Sequence, residues 1–195
     1  MVNILGIRLG RYIQYEQNCP IPTSDQIIYP NIKIVTDADQ LKEGFLGIQR
    51  ERLETLLHNG AELFVYIEND LPLGMLWGYR GSCYIRGPGI PLLLDDDTVY
   101  SFWAYVVPEA RGKKIYRKIR DVFFSYYKGV KKYVSLVEPS NTIARIEKKK
   151  DAYTETKKIT YIKFRCISII IEQFTDSQRF NIHLESGNQY DLLMI

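Results

Sequence analysis

The stretch TVYSFWAYVVPEARGKKIYRKIRDVFFSYY, residues 98–127, decides the fold. Its first ten residues are rich in Val and aromatic side chains and are stopped by Pro108, the composition of a well-buried central strand. The period then changes. Ile115, Ile119, Val122, Phe123 and Tyr126 fall at i, i+4, i+7, i+8 and i+11, one face of a helix, which the spacing predicts over 111–127. A strand that turns tightly into a helix presents the helix's first N–H groups without partners, and such a start binds anions, phosphates above all. Arg111, Lys113, Lys114, Arg117, Lys118 and Arg120 make six of the ten residues 111–120 basic. Cations oppose the dipole at a helix N-terminus, so an anion there would compensate them. The plain alternative is a solvated basic helix face; the sharper one is a di- or polyphosphate site.

Working outward, KYVSLVE (132–138) is another strand, stopped by Pro139, and Ser140 is placed to cap a helix over 141–150. Strand, helix and strand with short connections make a βαβ unit, which is parallel and right-handed. Upstream, ELFVYIEN (62–69), a turn at Asp70–Pro72 and LGMLWGYR (73–80) form an antiparallel pair. NIKIVT (31–36) alternates as a strand. Asp37 and Asp39 stand where a helix N-cap would be, before an apolar periodicity over 39–58 that Gly44 and Gly47 divide. Residues 81–97 are a loop or a short irregular strand. Residues 1–30, broken by Pro20, Pro22 and Pro30, read as a strand near 3–8 and then an irregular arm. Residues 159–195 read as two or three antiparallel strands with a turn at Glu185–Asn188. The expected class is α/β (α+β), a mixed, mostly antiparallel sheet with helices on both faces, in a single domain over 1–195.

Composition bounds the function. With 195 residues, 46% hydrophobic and 25% charged, the chain can bury a core without disulfides or metal. Tyrosine is abundant, at 15 residues, which suits strands and half-wet pockets. A net charge of +3 is too small to predict nucleic-acid binding by itself. Cys19, Cys83 and Cys166 are odd in number and carry no C-x-x-C spacing, so no disulfide framework and no metal site are expected. The N-terminus lacks a sustained apolar stretch and no apolar run approaches ~18 residues, so the expectation is a cytoplasmic protein without a membrane span.

The junction Val106-Val107-Pro108-Glu109-Ala110-Arg111-Gly112-Lys113-Lys114-Ile115 resembles motif A of the GNAT superfamily, the acyl-CoA-dependent N-acyltransferases. Ser140-Asn141, Ala144, Lys150 and Tyr153 resemble the family's second block, and PLGMLWGYRG (72–81) the strand that precedes motif A. The likeness spans about residues 31–165. It implies a central pair of parallel strands that splay apart, with acetyl-CoA as cosubstrate. Pantetheine would lie near Val106 and Val107. Its pyrophosphate would sit on the loop Arg111, Gly112, Lys113, Lys114, Ile115 and Tyr116, and Asn141 would join the cofactor site. The sequence departs from the pattern Arg/Gln-x-x-Gly-x-Gly/Ala, since the small positions are Lys114 and Tyr116. The family's frequent tyrosine acid, seven residues after the asparagine, is Lys148.

Acyl transfer to an amine needs a proton acceptor for the amine, a donor for the developing oxyanion and a proton for the leaving thiolate. Glu138, at the end of the second parallel strand, is the candidate base, against a solvated strand-end glutamate. Tyr153 and Ser140 are candidate proton donors, and strand backbone near Val106 the oxyanion donor. Glu109 and Asp95–Asp97 read as exposed turn residues, His58 and His183 as structural or exposed. Cys83 reads as a small half-buried residue rather than an acyl-carrying nucleophile. One set among Tyr100, Trp103 and Tyr105 could line an acceptor pocket, against core packing. The expected reaction is direct attack by a primary amine, on a small molecule or a peptide, in a ternary complex. A homodimer stays open. The rivals are a GNAT-like module that binds CoA or acyl-CoA without turnover, and a nucleic-acid-binding domain using the basic clusters 111–120 and 148–158.

Overall fold

In the computed structural model, which describes residues 2–4, 7–18, 29–41, 45–85, 90–164, 167–186 and 193–194, the aromatic run forms a strand at Thr98–Val106. In chain order the strands are β1 (Val2–Ile4), β2 (Ile7–Asn18), β3 (Ile32–Val35), β4 (Glu62–Glu68), β5 (Leu71–Arg80), β6 (Cys83–Ile85), β7 (Ile90–Leu92) and β8 (Thr98–Val106). They continue with β9 (Lys132–Val137), β10 (Thr154–Phe164), β11 (Ile167–Phe174), β12 (Phe180–Ser186) and β13 (Leu193–Met194). The helices are α1 (Arg50–His58), α2 (Ile115–Tyr126) and α3 (Thr142–Lys150). The α/β reading holds, with mostly antiparallel pairing.

Two compact units share the chain. One comprises Cys19–Arg80 and Asp97–Lys131, and holds the sheet β8-β5-β4-β3, antiparallel throughout, with α1 and α2. Helix α2 buries Ile115, Ile119, Val122 and Phe123 of the face its periodicity predicts, while Tyr126, the last residue of that face, is exposed at the helix end. That face lies on β5 where glycines leave room. A Cβ on Gly74 would stand 2.8 Å from Ile115 Cγ2, and one on Gly78 would stand 2.8 Å from Phe123 Cε2. Phe64 of β4 meets Phe123 edge-on, with ring centroids 5.2 Å apart. The buried Tyr127 donates its hydroxyl to Glu62, tying the end of α2 to β4.

The other unit comprises Met1–Asn18, Gly81–Asp96 and Lys132–Ile195. Its main sheet runs β12-β11-β10-β2-β9, antiparallel throughout, with β1 also on β2. Strands β6 and β7 pair antiparallel, and β13 joins β6 in parallel. Ile159, Tyr161 and Ile170 form a core cluster against Tyr12 and Leu136.

Several elements depart from the sequence reading. Residues 7–18 are not an arm but a twelve-residue strand paired on both sides. The rest of the expected arm up to residue 28, and Asn188 of the expected turn, lie outside the described residues; Glu185 belongs to β12. The β4–β5 turn is Asn69–Asp70, with φ +51° and +60°, and Pro72 lies inside β5. Two left-handed residues match a two-residue hairpin turn, and Asn and Asp tolerate that region. The expected helix over 39–58 is two 3-10 turns, Ala38–Gln40 and Phe45–Gly47, followed by α1; Leu46 and Gly47 take positive φ and break it. Asp37 caps the first turn, its side chain accepting from the Asp39 N–H. Asn141, not Ser140, caps α3: its Oδ1 accepts from the Ala144 N–H at 3.1 Å. Helix α2 begins at Ile115 rather than 111, because Gly112 and Lys114 both take positive φ before it.

Candidate functional site

β8 is buried over its first five residues and exposed over the next three. The change falls at a bulge. The β5–β8 register shifts between Met75 and Trp77, and Trp103 takes φ +51°, which is strained for a bulky side chain. Tyr100 and Phe102 therefore stay in the core, while Trp103 is 45% and Tyr105 39% exposed. The Arg52 guanidinium of α1 lies 5.0 Å from the Trp103 ring centroid.

Beyond the bulge the strand pairs again. Val106 is opposite Gly74, and the Val107 N–H donates to the Leu73 carbonyl at 3.0 Å. Because antiparallel backbone groups alternate, the N–H and C=O of Val106 then point away from β5. That carbonyl accepts from Arg111 Nε at 3.3 Å. The chain makes a 3-10 turn over Pro108–Ala110, with the Ala110 N–H on the Val107 carbonyl. Gly112 follows at φ +82° and Lys114 at φ +59°. A Cβ on Gly112 would meet nothing within 4 Å, so this glycine is needed for its backbone angle and not for space. Lys114 stands where the resembled motif has a small residue, and its left-handed backbone is one that glycine adopts without strain. The left-handed Lys114 costs roughly 1–2 kcal/mol.

The first helical residues, Ile115–Arg117, have no carbonyl one turn earlier within α2 to receive their N–H groups. Successive N–H groups in such a turn form an anion-binding concavity. Lys113, Lys114 and Arg117 are exposed around it. Lys118 is drawn over the Tyr66 ring, 5.2 Å from its centroid, and Arg120 pairs with Asp121 at 2.7 Å. The residues expected to hold the cofactor, Val106, Val107 and Arg111–Tyr116, thus fall within one segment, 106–116, of one unit.

The remaining predicted residues belong to the other unit. Glu138, Ser140 and Asn141 occupy the exposed turn between β9 and α3, where the Asn141 N–H donates to the Glu138 carbonyl at 2.9 Å. Tyr153 is buried just after α3, its N–H on the Lys148 carbonyl at 3.0 Å. Lys148 is itself buried, with Nζ 4.2 Å from the Tyr153 ring centroid. Two tyrosines absent from the sequence reading stand near Glu138. Burial, then the neighbouring Tyr161 and the Glu138 charge, pushes the Tyr12 phenol up to about 12. Burial and Glu138 likewise raise Tyr161. Their rings stack 6.1 Å apart. Tyr161 can lie there because Gly10, opposite it on β2, has no Cβ to strike its ring.

The discounted residues have ordinary places. Asp97 pairs with Lys131 at 2.5 Å, and His183 contacts Glu172 at 3.4 Å. Burial pushes the Cys83 thiol up to about 12, so it is protonated at neutral pH and is a poor nucleophile. In the cluster 148–158, Lys150 meets Glu147 at 2.6 Å and Lys157 meets Glu172 at 3.2 Å, so carboxylates partly neutralise it.

Among solved structures, the chain is similar to a GNAT-family protein from Novosphingobium aromaticivorans DSM 12444. The TM-score is 0.56 at 10% identity, over 82% of this chain and 67% of that one. It is also similar to a GCN5-related N-acetyltransferase from Sphaerobacter thermophilus, with TM-score 0.52 and 15% identity, over 81% and 53%. The fold is the GNAT fold. A third match is a functionally unknown conserved protein from Staphylococcus epidermidis ATCC 12228, with TM-score 0.50 and 12% identity, over 81% and 62%. The chain therefore spans between about half and two-thirds of the length of these structures, and the likeness is one of fold. No family profile matches the sequence, and no curated protein does. Among the described residues, no helix is long and apolar enough to cross a membrane.

Proposed function

We propose that the protein is a cytoplasmic N-acetyltransferase that moves an acetyl group from acetyl-CoA to a primary amine of a small molecule or peptide. The observation that carries this reading is the end of β8: two left-handed residues, Gly112 and Lys114, lead into the basic start of α2. The GNAT fold supports it. In this reading the pyrophosphate rests on the N–H groups of the 111–116 loop, and pantetheine runs along the edge of β8 at Val106 and Val107. The N–H of Val106, aimed away from β5, donates to the thioester oxygen as negative charge develops there. Trp103 and Tyr105, exposed by the bulge, face the acceptor.

The amine nitrogen attacks the thioester carbonyl carbon while Glu138, directly or through a water, takes its proton. The C–S bond breaks, and the thiolate is protonated by Tyr153 or Ser140. Tyr12 and Tyr161, raised above the ordinary phenol range, stay protonated and neutral beside Glu138 at working pH. No metal enters these steps.

The test is thiol release when acetyl-CoA is mixed with a broad panel of amines. Release that depends on the amine, with the acetylated amine as product, is expected. Hydrolysis of acetyl-CoA faster than acylation of every amine would contradict the reading. One observation favours a second reading, a module that binds acyl-CoA without turnover: the buried Lys148 occupies the position where the resemblance expects a tyrosine acid. Acetyl-CoA binding with no thiol release from any amine would select that reading.

A further inference from the structure

The two faces of the sheet β12-β11-β10-β2 are unlike. Directly opposed residues share a face in antiparallel pairs, and the β2–β10 register, which shifts between Glu155 and Lys157, is regular from Lys157 to Phe164. One row is Leu9, Ile162, Ile169 and Leu184; a second is Ile7, Phe164 and Ile167; a third is Arg11, Thr160, Ile171 and Ile182. The alternate residues, Tyr12, Ile159, Tyr161 and Ile170, point to the other face and form the core cluster. The core is therefore on one face, and the three apolar rows are on the other.

That second face is open. Phe180, Ile182 and Leu184 on the edge strand β12 are 58, 68 and 72% exposed, and Ile7, Leu9, Phe164 and Ile167 are 38–50% exposed. A large side chain offers roughly 150–250 Å², so these seven expose on the order of 700 Å². The largest apolar patch on a soluble monomer is about 300–600 Å². A standard protein interface takes about 800 Å² from each partner. The half-buried Ile162, Ile169 and Ile171 lie between these side chains and supply the difference. Within the three rows the only charged side chain is Arg11, at the β2 margin; the row that holds Phe180, with Ile13, Lys158 and Gln173, adds Lys158 at the border of the face.

We propose that this face is a homodimer interface, on which a second copy packs sheet to sheet about a two-fold axis. The area matches one interface side. An aliphatic and aromatic surface is complementary to itself, because it brings no like charges together at the centre. Its centre offers a charged partner nothing to pair with, since Arg11 and Lys158 stand at the margin. Two sheets stacked about 10 Å apart through such side chains are the ordinary core of a β-sandwich. The inference does not depend on the acetyltransferase reading.

Sedimentation of the full chain at micromolar concentration tests it. Wild type should run at twice 22.8 kDa. Ile182→Lys with Leu184→Lys, at exposed positions, should keep the circular dichroism of the fold and weaken dimerisation at least about a hundredfold, since buried unpaired charges are costly. Leu71→Lys, equally exposed in the β4–β5 hairpin of the other unit, should leave the dimer intact. If the double variant does not fold, Leu184→Ser alone should raise the dimer Kd about tenfold. A wild type that stays monomeric overturns the proposal, and so does a folded double variant, or Leu184→Ser, with unchanged dimer Kd. Equal loss in Leu71→Lys overturns the placement. A monomer that binds phosphatidylcholine vesicles, and loses them in the double variant, overturns the dimer in favour of a lipid surface.

Discussion

Arg111 Nε donates to the carbonyl oxygen of Val106 across 3.3 Å. The bond closes the loop between strand and helix onto the end of β8. It also fixes where the amides of Gly112 and the residues after it are presented. Arg111→Ala is expected to weaken acetyl-CoA binding about tenfold, or ~1.4 kcal/mol. Arg111→Lys should restore only part, since it keeps the charge and loses the fork of donors. Calorimetric titration of both variants checks this; wild-type affinity in Arg111→Ala would separate the tether from the ligand.

At the loop itself, backbone should matter more than side chain. Gly112→Pro forces φ near −65° where the chain has +82°, and removes an N–H. It should abolish binding in a protein that circular dichroism shows to be folded. Lys114→Ala should cost at most ~1 kcal/mol, the scale of one exposed charge contact. Lys114→Gly should raise the unfolding midpoint or leave it unchanged, because glycine relieves the left-handed strain at the expense of chain entropy. Loss of binding in Lys114→Ala with normal binding in Gly112→Pro would mean that side chains hold the phosphates.

The N–H of Val106 is not spent on pairing with β5, so it can be removed selectively. Val106→Pro is expected to lower kcat by roughly 100- to 1000-fold, the effect of losing one oxyanion donor. The β5–β8 ladder should survive, as near- and far-ultraviolet circular dichroism would show. An unchanged kcat would move the oxyanion donor elsewhere.

Tyr127 and Glu62 hold α2 on its sheet. Burial first, then the Glu62 charge and hydrogen bond, raises the Tyr127 phenol well above its ordinary range. A raised folded pKa gives stability that is fully present below the unfolded value of 10.0 and is lost as pH rises through the folded one. Tyr127→Phe should cost about 1–3 kcal/mol at neutral pH, with the difference from wild type shrinking above pH ~10. Gly78→Ala should cost about 1–3 kcal/mol too, since its Cβ would lie 2.7 Å from Tyr127 Cε2. Urea midpoints against pH measure both.

The local parts of this architecture were legible in the sequence, and the non-local parts were not. Helix α2 shows its buried face through Ile115, Ile119, Val122 and Phe123, because helical periodicity is a local property. The loop 106–116 was legible for the same reason: its residues are neighbours in the chain. Its left-handed position at Lys114 was hidden, because no glycine marks it. The bulge at Trp103 was hidden likewise, as it depends on a shift against Met75 and Trp77 of another strand. Strand β2 read as an arm because its partners, β9 and β10, lie far along the chain. The placing of Tyr12 and Tyr161 near Glu138 follows from that same pairing and from the bare Cα of Gly10, which no local pattern encodes. Ser140 and Asn141 both fit the cap of α3 by residue type, and only geometry selects Asn141.

The most direct measurement is a calorimetric titration of the full chain with acetyl-CoA at low and high salt. Saturable binding of one acetyl-CoA per chain is expected, weaker at high salt because the contacts of Arg111, Lys113, Lys114 and Arg117 with phosphate are screened. No heat of binding up to millimolar acetyl-CoA, in a preparation shown to be folded, would contradict the placement of phosphates on the 111–116 loop and the acyl transfer built on it.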